Sequence, residues 1–146
     1  MTEALHDMGL SYAEVELING DDAALQRRGI IKPEEVRRMK VKCLADSGAA
    51  MLAINESIAT QLGLPKVEER QAELADGSRQ SFAVVGPVEL RFGNRRSVAL
   101  AMMLPRDAEP LLGAIPMEDM DLMVDPKSQR VIINPAMPYI SRKPMK

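Results

Sequence analysis

Apolar and polar residues alternate over several short stretches of the chain, which is the pattern of half-buried β-strands. Between residues 11 and 18, alanine, valine and leucine at positions 13, 15 and 17 alternate with tyrosine and glutamate at positions 12, 14 and 16. From Lys66 onward the pattern leads to Asp76-Gly77, a dipeptide typical of hairpin turns. Further strands are predicted at residues 41–45, 81–85, 88–92, 97–104, 122–124 and 131–133, and residues 111–113 form a brief apolar run. Strands therefore outnumber helices, and the predicted fold class is mostly β.

One segment has the apolar spacing of a helix instead. Ile54, Ile58 and Leu62 recur at intervals of four residues, which puts them on one helical face. Asn55 stands before this helix as an N-cap, and Gly63 follows it as a C-terminal stop. We therefore predict one short helix between these two residues.

The remaining segments carry turn and loop signals. Residues 19–22 favour a turn, so we predict that the first strand ends there and that residues 21–39 form a charged, solvated excursion. Pro33 is suited to open a short helix within this excursion, and residues 116–120 are suited to one helical turn. The proline-containing segment 136–146 is predicted to be an irregular tail.

Length and composition indicate one globular domain. With 146 residues, of which 46% are hydrophobic and 27% charged, the chain can form one core but has little room for a second. We predict a single domain over residues 1–146, with its core at about 10–135. The eleven methionines are interpreted as core filler, although their adaptability would also suit a dimer seam or a tolerant peptide groove.

Charge and residue usage exclude several classes of partner. A net charge of −2 and an aromatic content of 3% give neither a basic face for phosphates nor a platform for stacking bases, so we expect no nucleic-acid partner. The one cysteine, Cys43, and the one histidine, His6, cannot build an internal disulfide or a Cys/His zinc site. We expect no metal and no cofactor, and interpret Cys43 as a small buried hydrophobe.

The chain shows no sign of a targeting or membrane-spanning segment. Residues 1–10 lack the apolar core of a signal peptide. No stretch approaches the roughly 18 apolar residues that crossing a bilayer requires. We therefore expect a cytoplasmic protein without a membrane partner.

The candidate chemistry lies in Asp46-Ser47-Gly48-Ala49, which follows the short apolar strand 41–45. The strand would hold the carboxylate rigidly, and the glycine would let the chain turn sharply after it. One such carboxylate is a modest general base. Two of them within hydrogen-bonding distance would share one proton, so that one acts as a base on water and the other as an acid toward a carbonyl oxygen.

The chain contains only one loop of this kind. Asp76-Gly77 and Asp125-Pro126 are not equivalent, because neither follows an apolar strand and continues into Ser-Gly-Ala. A proton-sharing pair therefore needs a second copy of the chain, arranged about a two-fold axis that brings Asp46 next to its twin.

The segment Leu44-Ala45-Asp46-Ser47-Gly48-Ala49 resembles the signature of retropepsin-like aspartic peptidases, in which two apolar residues precede Asp-Ser/Thr-Gly-Ala. A second family feature, two apolar residues and a glycine late in the chain, is matched by residues 111–113. The resemblance spans about residues 10–135 and is closest to bacterial members whose late segment reads Leu-Leu-Gly-Ala-Ile-Pro-Met-Glu. It implies a closed, barrel-like β fold and a homodimer that hydrolyses peptides or unfolded protein.

The resemblance also implies roles for individual residues. Asp46 would be the catalytic carboxylate, and Ser47, Gly48 and Ala49 would support the active-site loop, with the serine hydroxyl bracing the loop across the dimer. The tip of the hairpin, formed by Ala75, Asp76, Gly77 and Ser78, would be the flap that closes over a peptide. The loop would be packed from beneath by Leu111, Leu112 and Gly113.

Two positions differ from the family pattern and leave an alternative open. The family usually has serine or threonine a few residues after the motif, where this chain has Met51, Leu52 and Ala53, and a polar residue where it has Ala114. The alternative to an endopeptidase is a catalytically inactive dimeric β module that binds peptide or a protein partner.

Overall fold

A computed structural model of the chain describes residues 10–136. Most of the described residues belong to strands. The strands are β1 (Tyr12–Asn19), β2 (Arg38–Ala45), β3 (Leu52–Asn55), β4 (Lys66–Glu73), β5 (Arg79–Phe92), β6 (Arg95–Leu104), β7 (Leu111–Leu112), β8 (Leu122–Asp125) and β9 (Arg130–Ile133). The α-helices are α1 (Gly20–Arg27), α2 (Glu56–Leu62) and α3 (Ala114–Asp119), and Pro33–Glu35 forms a 3₁₀ turn.

Within residues 10–136 the strands form one sheet that closes on itself. Their order is β4-β5-β6-β3-β7-β2-β1-β9-β8, and a further pairing of β5 with β1 joins the two sides. The strands β5, β6, β3, β7, β2 and β1 therefore form a ring, from which the β4 edge and the β8–β9 hairpin extend. This arrangement agrees with the predicted barrel-like, mostly β fold class.

The period-two pattern of the first strand matches its burial. Ala13, Val15 and Leu17 are buried inside the ring, whereas Glu14 is exposed. Val15 pairs with Val41 on β2, and both contribute to the main hydrophobic core. Cys43 is fully buried in the same core, as predicted, and burial raises the pKa of its thiol to about 12.

The helix α2 has both predicted caps. The Asn55 side-chain oxygen accepts a hydrogen bond from the Ile58 amide at 2.9 Å. Gly63 follows the helix in a left-handed conformation with φ of 63°. Ile54, however, belongs to the buried strand β3 and not to the helix, because an apolar residue spaced four from Ile58 also suits a short, fully buried strand.

Two other predicted boundaries are wrong. Residues 81–85 and 88–92 form one continuous strand, β5, with a register shift between Val85 and Val88. The helical turn predicted at 116–120 begins earlier, at Ala114.

His6 and the predicted tail beyond residue 136 lie outside the described residues. Among the helices that are described, none combines the length and the apolar character needed to cross a membrane.

The turn predicted at residues 19–22 is instead the start of α1, a helix that the sequence pattern did not predict. The Asn19 side-chain oxygen accepts from the Asp22 amide at 3.0 Å, which caps the helix. The amide nitrogen of the same side chain donates to the Leu62 carbonyl at 2.8 Å. Residues that favour turns also favour N-caps, and the buried Asn19 links the start of α1 to the end of α2.

An ion pair fastens α1 to the chain segment that enters β2. The buried Asp22 carboxylate accepts three hydrogen bonds from Arg37, from the backbone amide at 3.0 Å and from Nε and Nη2 at 2.8 and 3.0 Å. These bonds to Arg37 lower the pKa of Asp22. A carboxylate with a lowered folded-state pKa stabilises the fold above its unfolded-state pKa, and this contribution is lost as the pH falls through the folded value.

We predict that Asp22→Asn lowers the free energy of unfolding at pH 7 by about 1 kcal/mol, since Arg37 is half exposed and solvent weakens the pair. The difference between variant and parent should shrink as the pH falls below the unfolded-state pKa of an aspartate, about 3.9, and on through the lowered folded-state pKa of Asp22. Urea unfolding monitored by circular dichroism at pH 7 and pH 3 measures both effects. Asp21→Asn, an exposed neighbour in the same helical turn, is the control; an equal loss in both variants would contradict the assignment.

Candidate active site

Asp46 lies immediately after β2, at a point where the backbone is held from both sides. The Ala45 amide donates to the Ser11 carbonyl at 2.8 Å, on the β1 side. On the β7 side, the Asp46 amide donates to the Leu112 carbonyl at 3.0 Å. The carboxylate therefore leaves a backbone that neighbouring strands fix in position.

The loop after β2 turns back tightly on itself. The Ala49 amide donates to the Asp46 carbonyl at 3.1 Å, and the Gly48 amide donates to Asp46 Oδ1 at 2.9 Å. Asp46 is half-buried, whereas Ser47 and Gly48 are exposed. A Cβ on Gly48 would lie 3.2 Å from Asp46 Oδ1, so a larger residue there would crowd the carboxylate. The carboxylate is thus both oriented by the loop and reachable from solvent.

The segment 111–113 packs directly against this loop. Leu112 pairs with Ala45 and is fully buried, and Leu111 pairs with Leu44. After Gly113 the chain contacts the loop again. The Ala114 amide donates to the Ala49 carbonyl at 2.8 Å, and the Ile115 amide donates to the Ala50 carbonyl at 3.0 Å. The two segments singled out in the sequence, residues 44–49 and residues 111–113, thus come together at one place in the fold.

Gly113 allows this close approach because it has no side chain. A Cβ there would collide with the Met51 carbonyl oxygen and lie 2.7 Å from the carbonyl carbon and oxygen of Ala50. These are backbone atoms that cannot rotate away. Any other residue at position 113 would therefore have to push the loop apart.

The predicted hairpin tip joins β4 to β5. The Gly77 amide donates to the Leu74 carbonyl at 2.9 Å, and Gly77 has a φ of 85° that favours glycine. Asp76 Oδ1 accepts from the Ser78 hydroxyl at 2.6 Å and from its amide at 2.9 Å. These bonds lower the pKa of Asp76. Almost all of β4 is exposed, so the hairpin projects from the ring.

One side chain of the hairpin reaches the loop region. Arg70 on β4 donates from Nη1 to the Met51 sulfur at 3.4 Å, and it forms a two-pronged ion pair with Glu68, at 3.0 and 3.2 Å. The face of β4 that carries Arg70 is therefore directed toward the Asp46 loop. This contact could not be predicted from the sequence, because nothing in the local pattern links residues 51 and 70.

Ala53 and Ala114, the two positions at which the chain departs from the family pattern, carry no polar side chain. Ala53 is buried in β3, and Ala114 contributes its backbone amide to the loop. The described part of the chain holds no cluster of three His, Cys, Asp or Glu side chains that could bind a metal ion. Asp46 is the one ionisable side chain in the loop formed by residues 46–49.

Comparison with known proteins places this arrangement in context. A family model described as "gag-polyprotein putative aspartyl protease" matches residues 35–118, a range that includes the Asp46 loop, the hairpin and Gly113. No curated protein matches the chain.

Two solved structures are similar in fold. The retroviral protease-like domain of Ddi1 from Leishmania major has a TM-score of 0.52 and 15% sequence identity, covering 86% of this chain and 90% of its own. The protease of Simian Foamy Virus (mac) has a TM-score of 0.46 and 18% identity, covering 75% and 90%. The family match and the likeness to the Ddi1 domain confirm the predicted retropepsin-like fold. The family match alone suggests an aspartic peptidase.

We predict that Gly113→Ala destabilises the protein by about 2–3 kcal/mol, because the new methyl group meets fixed backbone. The control is Gly29→Ala, where a Cβ would have nothing within 4 Å but the φ of 76° is unfavourable; strain of that kind costs about 1 kcal/mol. Chemical unfolding of both variants measures the difference. If Gly113→Ala were no more destabilising than Gly29→Ala, the close packing of the loop would be contradicted.

Proposed function

The chain belongs to the gag-polyprotein aspartyl protease family, and from this premise we propose that it is an aspartic endopeptidase that acts as a homodimer. The Asp46 carboxylates of two copies would share a proton and activate a water molecule for attack on a peptide carbonyl. The geometry of the Asp46 loop is the observation that carries this proposal. It combines a fixed backbone, an oriented carboxylate and access from solvent.

A second copy is required because each chain supplies one such loop. Exposed apolar side chains on the described part of the chain support this proposal. Ile115, two residues after Gly113, is 60% exposed. The edge strand β8 exposes both Met123 and Val124, which point to opposite faces of the strand. Apolar residues beside an unpaired strand edge are typical of surfaces that another chain covers.

The remaining loop and hairpin residues would serve this chemistry. Ser47, exposed at the turn, would donate its hydroxyl across the two-fold axis and brace the paired loops. Gly48 would hydrogen-bond the substrate backbone, with Ala49 leaving room beside it. The tip formed by residues 75–78 would act as a flap over an extended peptide, whose backbone can add to a strand edge. Unfolded protein is the substrate class that offers such segments.

We predict that the parent protein cleaves an unfolded protein at mildly acidic pH, and that Asp46→Asn lowers the rate at least about 10²-fold, because the variant cannot share a proton in the same way. Mass spectrometry of the fragments measures cleavage. Asp21→Asn, an exposed aspartate in α1, should cleave like the parent.

Equal cleavage by the parent and Asp46→Asn would sink the enzymatic assignment. The alternative, a dimeric module that binds peptides without cutting them, would give no cleavage by either protein but retained peptide binding. Its basis is the pair of alanines at positions 53 and 114, whose side chains cannot donate hydrogen bonds to the loop.

We predict that Ile115→Glu shifts the protein toward the monomer and lowers its activity in proportion, since a charge buried without a partner opposes association. Sedimentation velocity and cleavage assays at the same protein concentrations measure the two effects together. The matched control is Ile30→Glu, because Ile30 is 59% exposed but follows α1, outside the candidate site. A fully active monomer would contradict the need for a second copy.

A further inference from the structure

A groove of about 410 Å³ lies between the hairpin and the end of β6. This volume is in the range of ligand-binding pockets. Most of its lining is apolar and includes Ala72 on β4, Phe82 on β5, and Met102, Met103 and Leu104 on β6. None of these five side chains is fully buried, so the apolar walls are accessible to a ligand.

Strand register and one side-chain contact relate the groove to the candidate active site, although no residue of the Asp46 loop lines it. Side chains two residues apart on a strand lie on the same face, so Ala72, which lines the groove, shares its face of β4 with Arg70. Arg70 contacts Met51, five residues after Asp46. Met102 is paired with Ala53 on β3, the strand that follows the Asp46 loop. A peptide crossing the Asp46 loop beneath the hairpin would therefore pass this groove.

The groove has an unbalanced negative charge. Glu56, the first residue of α2, is the one charged side chain among its lining residues. Glu56 is exposed, and it forms no ion pair with the cations of the described residues. The nearest cation along the same face of β4, Arg70, is already paired with Glu68. A ligand with an apolar side chain and a positive charge would complement both properties.

Resting on the proposed function, we propose that this groove selects peptide substrates that carry a large apolar side chain and, two residues away, a lysine or arginine. The apolar side chain would fill the space lined by Phe82 and Met102, where flexible thioethers tolerate several shapes. The cation would pair with Glu56. A separation of two residues fits an extended peptide, because such side chains project to one side at a distance of about 7 Å.

The test compares kcat/KM for fluorogenic peptides that differ at one position. For the parent protein, lysine should be preferred over glutamine at the charged position by about two- to five-fold, the range of an exposed ion pair. The preference should approach one near 1 M salt. Alanine in place of leucine at the apolar position should lower kcat/KM by about ten- to hundred-fold.

Variants identify the residue responsible. In Glu56→Gln the lysine-to-glutamine ratio should fall to about one, and in Glu56→Lys a peptide with glutamate at that position should become the preferred one. Glu34→Gln, an exposed glutamate in the 3₁₀ turn, should retain the parent ratio. A ratio that is unchanged in Glu56→Gln would overturn the proposal.

Failure of the inference can be separated from failure of the proposed function. Cleavage that depends on Asp46 but shows no lysine preference would overturn the inference alone. If no peptide is cleaved, fluorescence anisotropy measures the binding of the same labelled peptides to the parent and to Glu56→Gln. This measurement then tests the groove assignment in place of cleavage. Lysine-selective binding that requires Glu56 would support the groove assignment without endopeptidase activity, and unselective or absent binding would overturn both.

Discussion

The close contact between the Asp46 loop and the chain around Gly113 is the constraint on which the candidate site depends. Three backbone hydrogen bonds link the two segments, from the amides of Asp46, Ala114 and Ile115. They form only because Gly113 lets the backbones approach to a distance that no Cβ would fit. Since Ala53 and Ala114 supply no side-chain hydrogen bonds, this backbone contact bears most of the task of orienting the carboxylate. Loop geometry and fold stability are therefore linked at this one position.

The hairpin is positioned by the same ring of strands. Its second strand, β5, continues without a break into the part of the ring that pairs with β1, so that Val88 lies opposite Asn19. Before the register shift, Val84 pairs with Met102 of β6. Beyond Val84, toward the tip of the hairpin, β5 pairs with β4 alone. One strand thus anchors the base of the hairpin in the core and carries its tip into solvent. Motion of the tip would be supported by a rigid base, which suits a segment that closes over a ligand.

Local signals could be predicted from the sequence, and contacts between distant segments could not. The caps at Asn55 and Gly63 and the turn at Asp76-Gly77 depend on neighbouring residues, so the pattern reveals them. Asn19 was misread because the same side chain suits a turn and an N-cap, and only the packing against Leu62 decides between them. The family resemblance joined residues 44–49 to residues 111–113. No signal joined Arg70 to Met51 or Glu56 to Met102, because those proximities arise from how β4 and β6 pack beside segments that are distant in sequence.

The fold also explains why a second copy matters to the proposed chemistry. One chain presents a single oriented carboxylate, which is at best a modest base, beside an exposed Ile115 and an edge strand with apolar residues on both faces. Covering those residues by a second chain would remove apolar surface from water and bring a second carboxylate to the first. The association energy and the assembly of the acid–base pair would then come from the same surface. A loop held mainly by backbone bonds gains from such a partner, since the exposed Ser47 has room to brace it. Catalysis in this family member would accordingly be a property of the interface and not of either chain alone.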